Sequence, residues 1–145
     1  QMSIPRIIGD ARYADHLENR AAMFSKRADE AVAAFDGCDA VIVNKPGGAF
    51  YLTVMFKDNV LNNRQTLPIE NPNVRARIES MVQDVSADKR FVYYLMGAVG
   101  IVVVPLTGFQ CAHPGFRVTL LETDNAKRAW IFKTLRETID AYAAS

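Results

Sequence analysis

Apolar residues recur at three- and four-residue steps across residues 10–35: Tyr13, Leu17, Phe24, Ala28, Val32 and Phe35. That period gathers them on one side of an α-helix, while Arg12, Glu18, Arg20, Lys26, Arg27 and Glu30 fall mostly off it. A long helix with one apolar side gains most of its stability from packing, so the chain must supply a second layer for it to bury against. Asp10 reads as its N-cap, and Asp36-Gly37 closes it.

The rest of the chain supplies that layer. Ala40-Val41-Ile42-Val43 is a short strand, Asn44-Lys45-Pro46-Gly47-Gly48 a turn, and residues 49–56 a second strand rich in aromatic and β-branched side chains. Residues 57–72 are polar, carry two prolines, and have the length of a functional lid or mobile arm. Helices are expected over residues 74–85 and 89–99. The second carries Phe91, Tyr94, Leu95 and Ala98 on one side and stops at Gly100. A strand over 101–104, a loop over 105–114 and a strand over 116–121 follow. Thr123 or Asp124 then caps a last helix running to about residue 142, with Trp130, Ile131, Leu135, Ile139 and Tyr142 facing the core. The order of helix, two strands, helices, two strands and helix predicts an α+β two-layer domain with a small, largely antiparallel sheet packed by helices. At 145 residues the chain fits one domain and can bury a core without metal or disulfide staples.

Composition removes several classes of function. Half the residues are hydrophobic, 23% are charged and the net charge is +1, with Lys and Arg scattered among Asp and Glu. A nucleic-acid partner is therefore not expected, since it calls for basic excess gathered on one face. No apolar run approaches the roughly 18 residues of a membrane span, so no membrane is expected either. Cys38 and Cys111 are in no C-x-x-C arrangement, and His113 beside Cys111 does not complete a ligand set. They read as reduced thiols of a cytoplasmic protein, with no metal site.

The residue that points to chemistry is Arg117, in Gly115-Phe116-Arg117-Val118-Thr119. A guanidinium alternating with apolar neighbours on a strand faces a cleft or solvent, and its fork of donors suits a carboxylate. The same residue could equally be an exposed strand arginine paired with Glu122. Gly47 and Gly48 lead into a strand rather than a helix N-terminus, so they read as a turn and not a phosphate cradle. Lys45, in that turn, lacks the buried setting of a cofactor lysine. The serines, His16 and His113 form no catalytic triad, and Tyr93, Tyr94 and Trp130 lie on helical stripes as core residues do.

Taken in order, several of these segments resemble the small domain of the class I/II aminotransferases, members of the fold-type I group that uses pyridoxal phosphate. The long amphipathic helix is followed by Pro46-Gly47-Gly48-Ala49-Phe50-Tyr51-Leu52. A helix then runs into Gly100-Ile101-Val102-Val103-Val104-Pro105, and Gly115-Phe116-Arg117 precedes a terminal helix. The resemblance implies that residues 1–145 are the C-terminal small domain and that the N-terminal cofactor-binding domain lies outside this chain. It implies that Arg117 binds the α-carboxylate of the substrate, and it leaves Phe109 as either an apolar wall of the pocket or a core residue. No catalytic, cofactor-binding or metal residue is then expected here. Pyridoxal phosphate would belong to the full-length parent, a homodimer acting on amino acids and 2-oxo acids, and the fragment alone would be inactive. Where the family loop reads Pro-Gly-Ser-x-Phe-Gly, this chain has Pro105-Leu106-Thr107-Gly108-Phe109-Gln110. Side chains at Leu106 and Gln110 are expected to narrow the substrate space or alter the loop's approach. Two alternatives stay open: the small domain of another fold-type I enzyme (a decarboxylase, synthase or lyase), or a free-standing ligand-binding module.

Overall fold

The computed structural model describes residues 2–145. A short helix α1 (Ile4–Ile8) precedes the long helix α2 (Tyr13–Ala33) and strands β1 (Val41–Val43) and β2 (Tyr51–Phe56). Helices α3 (Pro72–Met81) and α4 (Ala87–Val99) follow, then strand β3 (Val104–Pro105), a 3-10 turn (Leu106–Phe109), strand β4 (Gly115–Thr119) and helix α5 (Asn125–Ala143). The four strands lie in the order β1-β2-β4-β3, and every neighbouring pair is antiparallel. This is the α+β two-layer domain with a small antiparallel sheet that the sequence predicts.

Strand alternation divides the sheet into two unlike faces. Leu52, Val54 and Phe56 of β2 and Phe116 and Val118 of β4 are buried. They pack against Phe91, Val92 and Leu95 of α4, Phe132, Leu135, Ile139 and Tyr142 of α5, and Ala28 and Ala31 of α2. The intervening residues Tyr51, Thr53, Met55 and Arg117 are only half-buried, while Ile42 and Val104 are exposed. One face thus carries the core, and the other remains partly open. Cys38 and Cys111 are both free thiols. Among the described residues, no helix is long and apolar enough to cross a membrane.

Helix boundaries follow their caps. Asn71 accepts hydrogen bonds from the N–H groups of Asn73 and Val74 at 3.0 and 3.3 Å, so α3 starts at Pro72 rather than residue 74. Asp124, not Thr123, caps α5 by accepting from Lys127 N–H at 3.0 Å. Gly100 ends α4 in the left-handed conformation, φ +72°.

Further expectations differ from the structure. Asp10 does not cap α2: the helix starts at Tyr13 with Arg12 at the N-cap position, and the Asp10 carboxylate instead binds the Arg12 amide and guanidinium. Residues 101–103 are extended but unpaired: Ile101 and Val103 turn inward and Val102 outward, and only Val104–Pro105 joins the sheet. Trp130 is 51% exposed, because the buried stripe of α5 runs through Phe132, Leu135, Ile139 and Tyr142, two residues off its own position. Leu17 is exposed, because no residue of α2 before Arg27 is buried. Residues 57–72 form a packed strap rather than a mobile arm. Gln65, Leu67 and Ile69 are buried, Arg90 donates to the Gln65 carbonyl, and Arg75 donates twice to the Ile69 carbonyl.

Candidate functional site

Strand β4 places Arg117 in the middle of the sheet, opposite Thr53 of β2 and Val104 of β3. Its neighbours Phe116 and Val118 point into the core, so the pleat turns Arg117 to the open face. There its guanidinium carbon lies over two aromatic rings, 4.6 Å from the centroid of Tyr51 and 4.5 Å from that of Phe109. Tyr51 is a diagonal cross-strand neighbour, since it pairs with Thr119 two residues on. Phe109 comes from the 3-10 turn and is 52% exposed. Each such stack is worth about 0.5–1 kcal/mol at an exposed site. Stacking occupies the flat surface of the guanidinium and leaves the N–H groups at its edge to bind a planar anion.

Arg117 is not consumed by an internal ion pair. The sequence offered Glu122 as a partner, but Glu122 binds Lys127 at 2.9 Å and accepts from Asp124 N–H. The Lys127 ammonium and the Asp124 amide together hold the Glu122 carboxyl below its ordinary range. No carboxylate among the described residues pairs with Arg117.

The loop between β3 and β4 is held at its base by residues the sequence did not single out for function. Asp88, in the first turn of α4, is fully buried. Its Oδ2 accepts from the Thr107 N–H at 2.9 Å and the Gly115 N–H at 3.5 Å. Its Oδ1 accepts from the hydroxyls of Ser86 and Thr107, both at 2.7 Å, and from Lys89 N–H at 2.8 Å. Burial pushes this carboxyl up, but the donors from Thr107, Ser86 and Gly115 outweigh it and hold it below its ordinary value of 3.8. A carboxyl depressed in the folded state adds stability that is complete above its unfolded value and lost as pH falls through the lower folded one. Melting temperature should therefore fall below about pH 4, and Asp88→Asn should flatten that acid limb. Equal slopes for the two proteins in differential scanning calorimetry would remove Asp88 from the account.

Leu106 and Gln110 have separate roles. Leu106 is 4% exposed and fills a notch over Gly115, on the same side of β4 as Arg117. A Cβ on Gly115 would lie 2.7 Å from the Leu106 side chain and would collide with the Val54 carbonyl. Leu106 thus plugs the seam between turn and sheet and anchors the loop, instead of projecting into open space. Gln110 ends the 3-10 turn at φ +60°, a left-handed position that a side chain disfavours by roughly 1–2 kcal/mol. Gln110→Gly is expected to raise stability by about 1 kcal/mol, read as a higher urea midpoint at unchanged slope.

The other sequence candidates are placed elsewhere. Lys45 is exposed and pairs with Asp29 at 2.7 Å. Gly47 and Gly48 lie in an exposed turn before β2. All six lysines are exposed, so none has the desolvated setting of a cofactor lysine. The N-termini of α3, α4 and α5 are engaged by Asn71, Asp88 and Asp124 of this chain, which leaves them unsuited to a phosphate. Among the described residues no group of three or more His, Cys, Asp or Glu could hold a metal.

Residues 6–130 match the profile of the family described as aminotransferase class I and II. An uncharacterized aminotransferase of Methanocaldococcus jannaschii is 49% identical over 142 residues, which make up 98% of this chain and 33% of that protein. This chain thus spans about a third of the length of the curated relative it matches, 33%. The crystal structure of the aspartate aminotransferase of Rhizobium meliloti matches with a TM-score of 0.61 and 25% identity, over 90% of this chain and 27% of its own. Aminotransferase Aro8 of Candida albicans, 16% identical, shares the fold with a TM-score of 0.67 over 98% of this chain and 30% of its own.

Proposed function

Because this chain belongs to the class I and II aminotransferases, we propose that it is the C-terminal small domain of a pyridoxal-phosphate enzyme and that Arg117 binds the α-carboxylate of its amino-acid substrate. The observation that carries the reading is the Arg117 guanidinium, stacked over Tyr51 and Phe109 on the open face and paired with no internal carboxylate. A bidentate, permanently charged donor fixes both the position and the plane of a carboxylate. Fixing that plane orients the substrate's Cα bonds, which lowers the barrier through alignment. Phe109 supplies an apolar wall beside the bound group.

The cofactor and its lysine belong, on this reading, to a larger N-terminal domain outside these residues. The substrates are an amino acid and a 2-oxo acid, and the parent enzyme is a cytoplasmic homodimer. Two measurements test the reading. The complete polypeptide, loaded with pyridoxal phosphate, should convert an amino acid to its 2-oxo acid and pass the amino group to a second 2-oxo acid. Release of carbon dioxide instead would make it a decarboxylase of the same fold group. The 145-residue chain alone should neither transaminate nor give the visible absorbance band of lysine-bound cofactor, and such a band would contradict the division of labour.

A further inference from the structure

Arg117 lies on a rigid strand, but one of the two rings that hold its guanidinium lies on a loop. Phe109 belongs to the nine-residue connection between β3 and β4, five residues of which are exposed. What fixes this connection at both ends is one carboxylate. Asp88 Oδ2 receives the amide of Thr107, two residues before Phe109, and the amide of Gly115, two residues before Arg117. Its Oδ1 receives the Thr107 hydroxyl, and the Ser86 and Thr107 hydroxyls meet at 2.9 Å. The carboxylate is fully buried and no cation pairs with it among the described residues, so its charge is balanced by oriented hydroxyls, amides and the N-terminus of α4. A buried charge kept for packing alone would be poorly chosen, because an apolar side chain fills space without a desolvation penalty. The use visible in the geometry is to tie helix, loop and strand together at one point.

We infer that Asp88 is a positioning residue for substrate binding: it closes the 106–115 loop so that Phe109 and Arg117 meet in the arrangement that presents the guanidinium edge. It touches neither substrate nor guanidinium and acts through Thr107 and Gly115. The inference rests on the proposed role of Arg117, and its test separates the two.

The complete enzyme is assayed with a good amino-acid substrate and with the matching amine that lacks the carboxylate. The ratio of their kcat/KM values isolates carboxylate recognition, which a general loss of folded protein does not move. Asp88→Ala should lower that ratio on the order of tenfold, as a displaced binding group does. It should also speed hydrogen exchange of the 106–115 segment. Asp88→Asn should retain most of the ratio, since its amide oxygen still accepts from the Thr107 amide and its NH2 can donate to the hydroxyls. Should Asp88→Ala not fold, Thr107→Val, which removes one donor and leaves the buried charge in place, should show a smaller fall in the ratio and faster exchange of the same segment. Arg117→Ala is measured alongside. If it abolishes the preference while the Asp88 and Thr107 variants leave ratio and exchange unchanged, the positioning role is wrong and the carboxylate role stands. If Arg117→Ala itself leaves the ratio unchanged, both fall.

Discussion

Arg117→Ala in the complete enzyme is expected to lower kcat/KM for amino-acid substrates on the order of 100-fold, with KM rising more than kcat falls. The estimate follows from removing one partner of a hydrogen-bonded charge pair, which costs about 2–5 kcal/mol, where each 1.4 kcal/mol is tenfold. The substrate carboxylate would then sit against the rings of Tyr51 and Phe109 without its guanidinium partner, so the penalty includes that of a desolvated anion as well as of the lost bonds. Arg117→Lys should recover little. An ammonium offers one point of contact, lacks the planar face that stacks over two rings and cannot form paired bonds. Steady-state kinetics of both variants settle the point, and a Lys variant with near-wild-type KM would show that charge alone suffices. The fold itself should be nearly unaffected, because Arg117 is half-buried and makes no internal ion pair.

The largest loss of stability should come from Phe91→Ala. Phe91 is fully buried at the centre of the aromatic cluster, with ring centroids 5.1 Å from Phe56, 5.6 Å from Phe116 and 5.1 Å from Tyr142. Deleting its ring removes contacts from three elements and leaves a cavity that rigid neighbours cannot fill, for a loss of about 3–5 kcal/mol. Domains carry about 5–15 kcal/mol in all, so the variant should be close to unfolding at physiological temperature. Urea denaturation reads the effect as a lower midpoint at unchanged slope. Phe91→Leu should lose much less, because most of the volume is kept. A small effect of the alanine change would mean that the sheet and helices are not held by this cluster. Phe91 lies one turn beyond Asp88 on α4 and packs on Phe116, the neighbour of Arg117. The helix that holds the loop is thus also fastened to the strand carrying the guanidinium.

Local pattern was enough to read much of this architecture. The Gly100 stop, the Asp124 cap and the two-layer arrangement depend on residues near one another in sequence, and they are found where the pattern places them. Leu17 was misread because a stripe does not reveal where along a helix the neighbouring layer begins, and Trp130 because the buried stripe of α5 lies two residues off it. Residues 101–103 have the β-branched composition of a strand, yet pairing needs a partner edge, and β4 offers one only to Val104 and Pro105. The strap over 57–72 looks polar in sequence, but alternate residues Gln65, Leu67 and Ile69 are buried.

The candidate site was legible only as far as Arg117 and Phe109. That Tyr51 joins them depends on the β2–β4 register, which sets residues 66 positions apart side by side. Asp88 falls between the helices expected over residues 74–85 and 89–99, where nothing local marks it out. Its donors Thr107 and Gly115 lie 19 and 27 residues further along the chain, and no local spacing connects them to it. The sequence left Leu106 either narrowing the substrate space or altering the approach of the loop, because Gly115, the notch that receives it, is recognisable only once the turn folds back on β4.

The most direct test of the carboxylate role of Arg117 is a crystal structure of the complete enzyme with a bound substrate analogue that keeps the α-carboxylate and cannot react. The carboxylate should lie in the plane of the Arg117 guanidinium, with two N–H···O contacts of about 2.7–2.9 Å and Phe109 beside it. A carboxylate bound by another group, with Arg117 still resting on Tyr51 and Phe109 and facing solvent, would contradict it.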